Sequence, residues 1–312
     1  MDSLVSILLP VYNGERTLGR TLASLEKQTY PNVELLVCID GSTDRSFEIL
    51  SDYANRNRNT RIFVNSENLG LGPTLNRLVY ESKGEFCAIA EQDDVYPKCR
   101  IRSQVEALLR NPQAGLVSGI AEFVDYEPNA TSGQKRFPGL LEKGGQYPVN
   151  ADALFLLNYV QQIKVVNSAM MFRRKTHVDN GLYFSKHYGS VSVDWSYVLR
   201  FSKRSGILGL NQTLVYLDRT PSRANVTSNK RGQFAAAREL LRSFRFEEPG
   251  IVTPAVYREA LKNQLLLELG YKTRFSLPIS AMLYTFLHLD TRFCRYLLAR
   301  TRKAAERMAN AA

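Results

Sequence analysis

The chain has 312 residues, of which 44% are hydrophobic and 23% charged, and a net charge of +11. This is a globular composition, long enough for one large domain or one domain with an appendage. The four cysteines, Cys38, Cys87, Cys99 and Cys294, form no C-x-x-C pair, which excludes a zinc site and a disulfide framework and reads as buried free thiols in a reducing compartment.

The excess positive charge favours a polyanionic partner: nucleic acid, an anionic membrane surface or a phosphorylated substrate. No aromatic-basic motif supports nucleic acid. Met1-Asp2-Ser3 is acidic and the apolar run after it stops at Pro10, unlike a signal peptide. No stretch reaches the roughly 18 apolar residues of a membrane span. The longest charge-free run, Phe275 to Leu289, contains Pro278 and His288. The expectation is a cytoplasmic protein that touches the inner face of a membrane without crossing it.

Residues 4 to 123 alternate strand-like and helix-like segments. Val5 to Leu9 is an apolar β-type run. Glu15 to Lys27 carries Leu18, Leu22 and Leu25 at helical spacing. Val33 to Ile39 is apolar again, and Asp44 is placed to cap a helix bearing Phe47, Leu50 and Tyr53. Arg61 to Val64 reads as a short strand, and Leu71, Leu75, Leu78 and Val79 mark the next helix. Phe86 to Ala90 is another strand, followed by a helix from Lys98 to Arg110. This order predicts an α/β fold with a mostly parallel central sheet flanked by helices. In such sheets ligands bind beyond the carboxyl ends of the strands. Pro10 to Gly14, Asp40 to Ser42 and Glu91 to Asp93 all stand at such ends.

Asp125 to Val149 reads as a long loop whose Lys135, Arg136 and Lys143 are available to phosphate. Ser168 to Phe172 looks like a buried strand, Val193-Asp194-Trp195 opens a helix, and Gly206 to Leu217 is strand-like. Arg173, Arg174, Arg219 and Arg223 flank these elements as candidate diphosphate contacts, with a solvated basic edge as the alternative for each. His177 and His187 have no metal-ligand spacing and read as surface or loop residues. After Asp218 helical patterning and basic residues dominate. The division expected is a catalytic domain over 1–218 and a basic helical region over 219–312.

Glu91-Gln92-Asp93-Asp94 puts three carboxylates in four positions at the end of a buried strand. Such crowding is costly unless something offsets the charge, and oxygen ligands suit Mg²⁺ or Mn²⁺. If the strand continues to its end, Glu91 and Asp93 point to one side and Gln92 and Asp94 to the other.

Val5-Ser6-Ile7-Leu8-Leu9-Pro10-Val11-Tyr12-Asn13-Gly14-Glu15 resembles the opening of glycosyltransferase family 2. Gln28 to Leu35, Asp40-Gly41-Ser42-Thr43-Asp44, Asn68-Leu69-Gly70, Asn76, Gly84-Glu85-Phe86 and the acidic stretch follow in the family's order. The resemblance implies the nucleotide-diphospho-sugar transferase fold, GT-A, a Rossmann-like architecture, here with a helical C-terminal extension. It implies inverting transfer of a sugar from a nucleotide donor. UDP-sugars are the commonest donors among similar enzymes, with dTDP-rhamnose the runner-up.

By the same resemblance Pro10, Tyr12 and Glu15 lie beside the base and ribose, and Asp40 binds one of them. The acid that often precedes Asp40 is Ile39 here. Glu91 and Asp93 match the D-x-D motif, with Glu in the first place, Gln92 between them and Asp93 as the metal ligand. Val193-Asp194 resembles the family's Glu-Asp pair, reduced to Asp194 as general base.

The function implied is transfer to a hydroxyl of a glycan or lipid-linked acceptor in surface polysaccharide synthesis. The alternative is a non-catalytic binding protein that keeps the fold, consistent with the altered pairs. Phe275 to Leu289 together with the basic run from Thr291 suggests helices lying on an anionic membrane. The competing expectation is packing on the protein or a homodimer.

Overall fold

The computed structural model describes residues 2–124, 135–137, 150–162, 165–188, 192–218, 220, 229–273 and 275–309, with side chains described for all but 135–137 and 303–309. The chain separates into two compact units, residues 1–158 with 162–229, and residues 159–161 with 230–312.

The first unit is built on one sheet of β1 (Val5–Val11), β2 (Val33–Asp40), β3 (Thr60–Asn65), β4 (Phe86–Ile89), β5 (Ala114–Val124), β6 (Lys135–Phe137), β7 (Met171–Arg173) and β8 (Gly206–Asp218). The order runs β3-β2-β1-β4-β7-β5. Strand β6 pairs with the upper part of β5, and β8 pairs along its length. Strands β1 to β4 are mutually parallel, with Val5 opposite Val33 and Asp40 opposite Asn65. Strand β7 is antiparallel to both β4 and β5, so β5 runs with β4, and β8 is parallel to β5. The sheet is mostly parallel and carries helices on its faces, as the alternating pattern predicted. Val11, Asp40, Asn65, Ile89 and Asp218 all end at one edge.

The apolar strands are continuous because both faces are covered. Side chains alternate between two cores. Ile7, Leu9, Val37, Ile39, Phe86 and Ala88 enter one core with Leu18, Leu22 and Leu25 of α1 (Leu18–Glu26), Leu50 and Tyr53 of α2 (Ser46–Arg56) and Ile101 and Val105 of α4 (Arg100–Arg110). Leu8, Leu36, Cys38, Cys87 and Ile89 enter the other. Leu75, Leu78 and Val79 of α3 (Leu71–Glu81), Leu154 of α5 (Ala151–Gln161) and Tyr197 and Phe201 of α7 (Val193–Ser202) join them there.

Ser6 is the polar exception in β1. Its hydroxyl donates to Glu34 Oε1 at 2.6 Å and accepts from the Gly84 amide at 2.8 Å, so nothing polar is buried unpaired there. The Cys38 and Cys87 thiols are buried and reduced. Burial pushes them up to about 11 and about 12.

Several expectations are corrected. Phe47 is 53% exposed and lies off the packed face of α2. Helix α4 begins at Arg100, two residues after the expected start. The run from Ser168 is first a 3-10 turn, Asn167–Ala169, and then the short antiparallel β7. His177, in α6 (Arg174–Asp179), is buried rather than superficial. Its Nδ1 lies 2.9 Å from the Tyr197 hydroxyl and its ring stacks on Phe172, and burial holds the imidazole down at about 4. His187 is exposed. Lys143, Arg219 and Arg223, with the side chains of Lys135 and Arg136, lie outside the described residues.

The second unit contains α8 (Lys230–Glu247), α9 (Pro254–Leu269), α10 (Ser276–His288) and α11 (Arg292–Ala309). Pro254 stands at the first turn of α9, where its missing N–H costs nothing, and the Thr253 hydroxyl caps the Val256 amide. Leu265, Leu269, Leu277, Ala281 and Phe293 form a core shared by α9, α10 and α11. Among the described residues no helix is long and apolar enough to cross a membrane.

Candidate active site

The loops after β1, β2, β3 and β4 are laced together at the carboxyl edge of the sheet. After β1, Asn13 takes a left-handed φ of 48°, a conformation Asn tolerates better than most residues. Its amide donates to Ser42 Oγ at 3.0 Å, and its Oδ1 accepts from the Thr43 amide at 2.9 Å. Asp44 accepts from the Glu15 and Ser46 amides, and Glu15 in turn accepts from the Arg45 amide at 3.1 Å. The Glu15 carboxylate therefore sits at the amino end of α2, where negative charge is favoured. Burial acts to raise the Asp44 carboxyl, but hydrogen bonds from Ser46 and the Glu15 amide hold it below the ordinary range.

Asp40 is 4% exposed and its carboxylate is already engaged. Oδ1 accepts from Asn65 Nδ2 at 2.7 Å and the Leu69 amide at 3.0 Å, and Oδ2 accepts from the Gly70 amide at 2.9 Å. These bonds explain why the Asn68-Leu69-Gly70 motif accompanies Asp40-Gly41-Ser42. Gly41 has φ of 67°, and a methyl group on it would stand 2.5 Å from the Asn68 amide nitrogen, so no larger residue fits.

The acidic stretch departs from the alternation expected of a continued strand. Strand β4 stops at Ile89, and residues 91–94 close a turn in which the Asp94 amide donates to the Glu91 carbonyl. The turn gathers all three acids. Carboxylate oxygens of Glu91, Asp93 and Asp94 lie within 4.8 Å of one another. Three hard oxygen donors at this spacing fit Mg²⁺ or Mn²⁺.

The turn is held from every side. The Thr21 hydroxyl bonds with the Gln92 and Asp94 carbonyls at 2.9 and 2.8 Å. The Tyr96 hydroxyl meets the Glu91 amide at 2.7 Å. Asn167 Nδ2 donates to Glu91 Oε1 at 2.9 Å, and Ser168 donates to Asp94, which is 1% exposed. The Gln92 amide group is spent on the Tyr12 main chain, accepting from its N–H and donating to its carbonyl, both at 2.8 Å. That clasp fixes the end of β1 and leaves the Tyr12 ring 47% exposed beside the acidic turn, with Pro10 half-buried in the strand behind it.

Two arginines that the sequence reading passed over supply positive charge. Arg20 donates to the Asp93 carbonyl at 3.2 Å and to Asp218 at 2.7 Å, tying the turn to the end of β8. Burial acts to raise the Asp218 carboxyl, but Thr220 and Arg20 hold it below the usual range. Arg100 is wholly buried behind the turn. It donates to the Ile89 carbonyl at 2.7 Å and stacks 4.5 Å from the Tyr96 ring centre, and burial lowers its basicity. Only the position of Arg100 three residues after Pro97, in the first turn of a helix, hinted at it.

Asp194 lies in the first turn of α7, half-buried, with its Oδ1 accepting from the Trp195 amide at 2.7 Å. The cap position itself is Ser192, in a left-handed conformation. Helix α7 leads into the start of β8. Trp195 is half-buried.

Arg173 and Arg174 are at the other edge. Because β7 is antiparallel, Arg173 pairs with Phe86 at the start of β4 and donates to the Ala114 and Leu108 carbonyls, while Arg174 donates to Ser82. The topology therefore removes both as candidates for the diphosphate and leaves them at the basic edge that was the alternative for each.

With this geometry in place, the comparisons with known proteins decide the family. The sequence model described as glycosyl transferase family 2 matches residues 6–177, more than half of the chain. The chain belongs to glycosyltransferase family 2. Relatives within the family include an uncharacterized glycosyltransferase of Haemophilus influenzae, 30% identical over 40% of this chain and 50% of that protein. Another is the Escherichia coli UDP-Glc:alpha-D-GlcNAc-diphosphoundecaprenol beta-1,3-glucosyltransferase WfgD, 34% identical over 35% of this chain and 43% of that one. The matches thus span half or less of these two relatives.

Solved structures superpose on this one. S. aureus TarS residues 1–349 match with a TM-score of 0.62 and 18% identity over 84% of this chain and 72% of that one. A Pyrobaculum calidifontis mannosyltransferase, solved with GDP-Man and Mn²⁺, matches with a TM-score of 0.56 and 16% identity over 97% and 87%. These establish the GT-A fold.

Proposed function

We propose that this family 2 enzyme is a metal-dependent, inverting transferase. It moves a sugar from a nucleotide-diphosphate donor to a hydroxyl of a glycan or lipid-linked acceptor in surface polysaccharide synthesis. The observation that carries the reading is the braced turn in which Glu91, Asp93 and Asp94 converge at the carboxyl edge of the sheet.

Asp93 is the proposed metal ligand, with Glu91 beside it at the metal or ribose. Asp94, buried against Ser168, braces the turn. A divalent cation held there would supply charge neutralisation for the departing diphosphate. Pro10, Tyr12 and Glu15 form the base and ribose side of the donor site. Gln92 acts by fixing Tyr12, and Asp40 by holding the loop before α3. Asp194 takes the proton from the acceptor hydroxyl as it attacks the anomeric carbon opposite the leaving group, and the electron pair of that C–O bond departs with the diphosphate.

Support for the donor comes from neighbours of the same fold, solved with UDP, UDP-GlcNAc and GDP-Man. UDP-sugars lead the proposal, ahead of dTDP-rhamnose. Support for the acceptor comes from the E. coli relative, whose name gives a diphosphoundecaprenol substrate. Such acceptors live in membranes, and the proposed site of action is the inner face of an anionic membrane, with the protein bound peripherally from the cytoplasm.

A thermal-shift screen of UDP-, dTDP- and GDP-sugars with Mn²⁺ tests the donor site. A specific donor at about 100 times its Kd stabilises the fold by about 2.7 kcal/mol. The expected pattern is one nucleotide class that raises the midpoint with Mn²⁺ and not with EDTA. No shift from any nucleotide sugar would contradict the reading.

A further inference from the structure

Helix α10 has no charged residue in its thirteen positions. Leu277 and Ala281 face the core of the second unit, with Tyr284, Thr285 and His288 half-buried on that side. The opposite face is also apolar, and it is bare. Phe275 is 87% exposed, Ile279 71%, Met282 66% and Phe286 78%, with Leu283 and Leu287 at least half exposed. At 100° per residue these side chains make one continuous stripe. Leu289 closes the helix with φ of 48° and 90% exposure, a conformation and a setting both unfavourable to leucine in water. A helix that is apolar all round belongs inside something, and a contiguous exposed apolar face marks an interaction surface.

Charge on the neighbouring helix narrows the choice of occupant. Arg292 is consumed internally. It bonds both carboxylate oxygens of Glu259, at 2.6 and 2.9 Å, and Asp290, pinning the turn between α10 and α11. Arg300 donates to the Leu269 and Gly270 carbonyls at the end of α9. Arg295 remains on the exposed face of α11, beside Leu298, which is 67% exposed. Among the described residues of the basic run Arg292 is neutralised by ion pairs, while Arg300 keeps its charge against neutral carbonyls. A second copy of this chain would bring the same positive charge, +11 over the whole protein, against itself. An anionic bilayer offers both an apolar interior and the opposite charge.

We infer that the outer face of α10 inserts into the interfacial layer of an anionic membrane, with Phe275, Ile279, Met282 and Phe286 entering the acyl boundary and Arg295 at the headgroups. This deepens the membrane-surface reading above and rests on it. Binding is driven mainly by apolar burial, so part of it survives high salt, which a purely electrostatic contact would not.

The test is sedimentation of the full-length protein with vesicles of phosphatidylcholine alone or mixed with phosphatidylglycerol, at low and high salt. The wild type is compared with the double variant Ile279→Glu and Phe286→Glu. These positions are exposed, so the variant folds, and its circular dichroism and its donor thermal shift stay as in wild type. The expected result is pelleting with phosphatidylglycerol vesicles, partly retained in high salt, and reduced at least roughly tenfold in the variant.

Wild-type protein that stays in the supernatant, or a variant that pellets as well as wild type, overturns the inference. So does a lipid-free dimer in sedimentation equilibrium that the same substitutions dissociate, because the face would then belong to a second copy. A normal donor shift in any of these cases shows that insertion has failed while the transferase reading stands.

Discussion

Asp194→Asn is expected to keep donor affinity and lose about 10²–10⁴-fold in the rate of transfer to acceptor. The substitution is nearly isosteric, and an Asn oxygen can still accept from the Trp195 amide that Asp194 Oδ1 engages now. Ser192 holds the cap position of α7 and Asp194 stands in its first turn. What the amide cannot do is accept a proton. The loss therefore falls on kcat, with the donor KM unchanged, because a base acts in the chemical step. Single-turnover measurements with saturating donor check it. Near-normal turnover would return Asp194 to a structural role at the amino end of α7, where a negative charge is stabilising in its own right.

Asp93→Asn is expected to weaken metal-dependent donor binding by at least roughly tenfold while leaving the fold intact. The turn owes its shape to contacts that the substitution spares. Thr21 holds the Gln92 and Asp94 carbonyls, Arg20 the Asp93 carbonyl, Tyr96 the Glu91 amide and Ser168 the Asp94 carboxylate. Titration calorimetry of donor with Mn²⁺ on both proteins reads the effect. Equal affinities would show that Asp93 does not hold the cation.

How much of this was legible in the sequence depends on the range of the contacts involved. Strands β1, β2 and β4 and helices α1 and α3 could be read because their apolar periodicity is local and both faces of the sheet are covered. The acidic turn could be located from three carboxylates after a strand. Its shape could not, since the turn is held by Thr21 and Asn167, which arrive from distant segments, as well as by the nearby Tyr96.

Asp40 shows the same limit. Its motif was visible, but the three donors that occupy its carboxylate come from positions 25 to 30 residues away. Arg173 and Arg174 were misplaced because nothing local marks β7 as the antiparallel strand that carries them to the far edge. His177 looked superficial because its stacking on Phe172 and its contact with Tyr197 form only once α6 and α7 pack together. For α10 the apolar run was legible as a membrane-lying or packed helix, but which of its sides is left uncovered is seen only in the fold.

The most direct measurement is release of sugar from radiolabelled nucleotide donors by the full-length protein, with Mn²⁺, with Mg²⁺ and with EDTA. A catalytic site at the acidic turn predicts turnover of one nucleotide-sugar class that requires the divalent ion, is lost with EDTA and returns when the metal is restored. Donor that binds in the thermal-shift assay yet is never turned over, with or without acceptor lipid, would contradict it. The missing acids at Ile39 and Val193, with the longer Glu91 in place of Asp, would then mark a binding protein that has kept the fold and lost the chemistry.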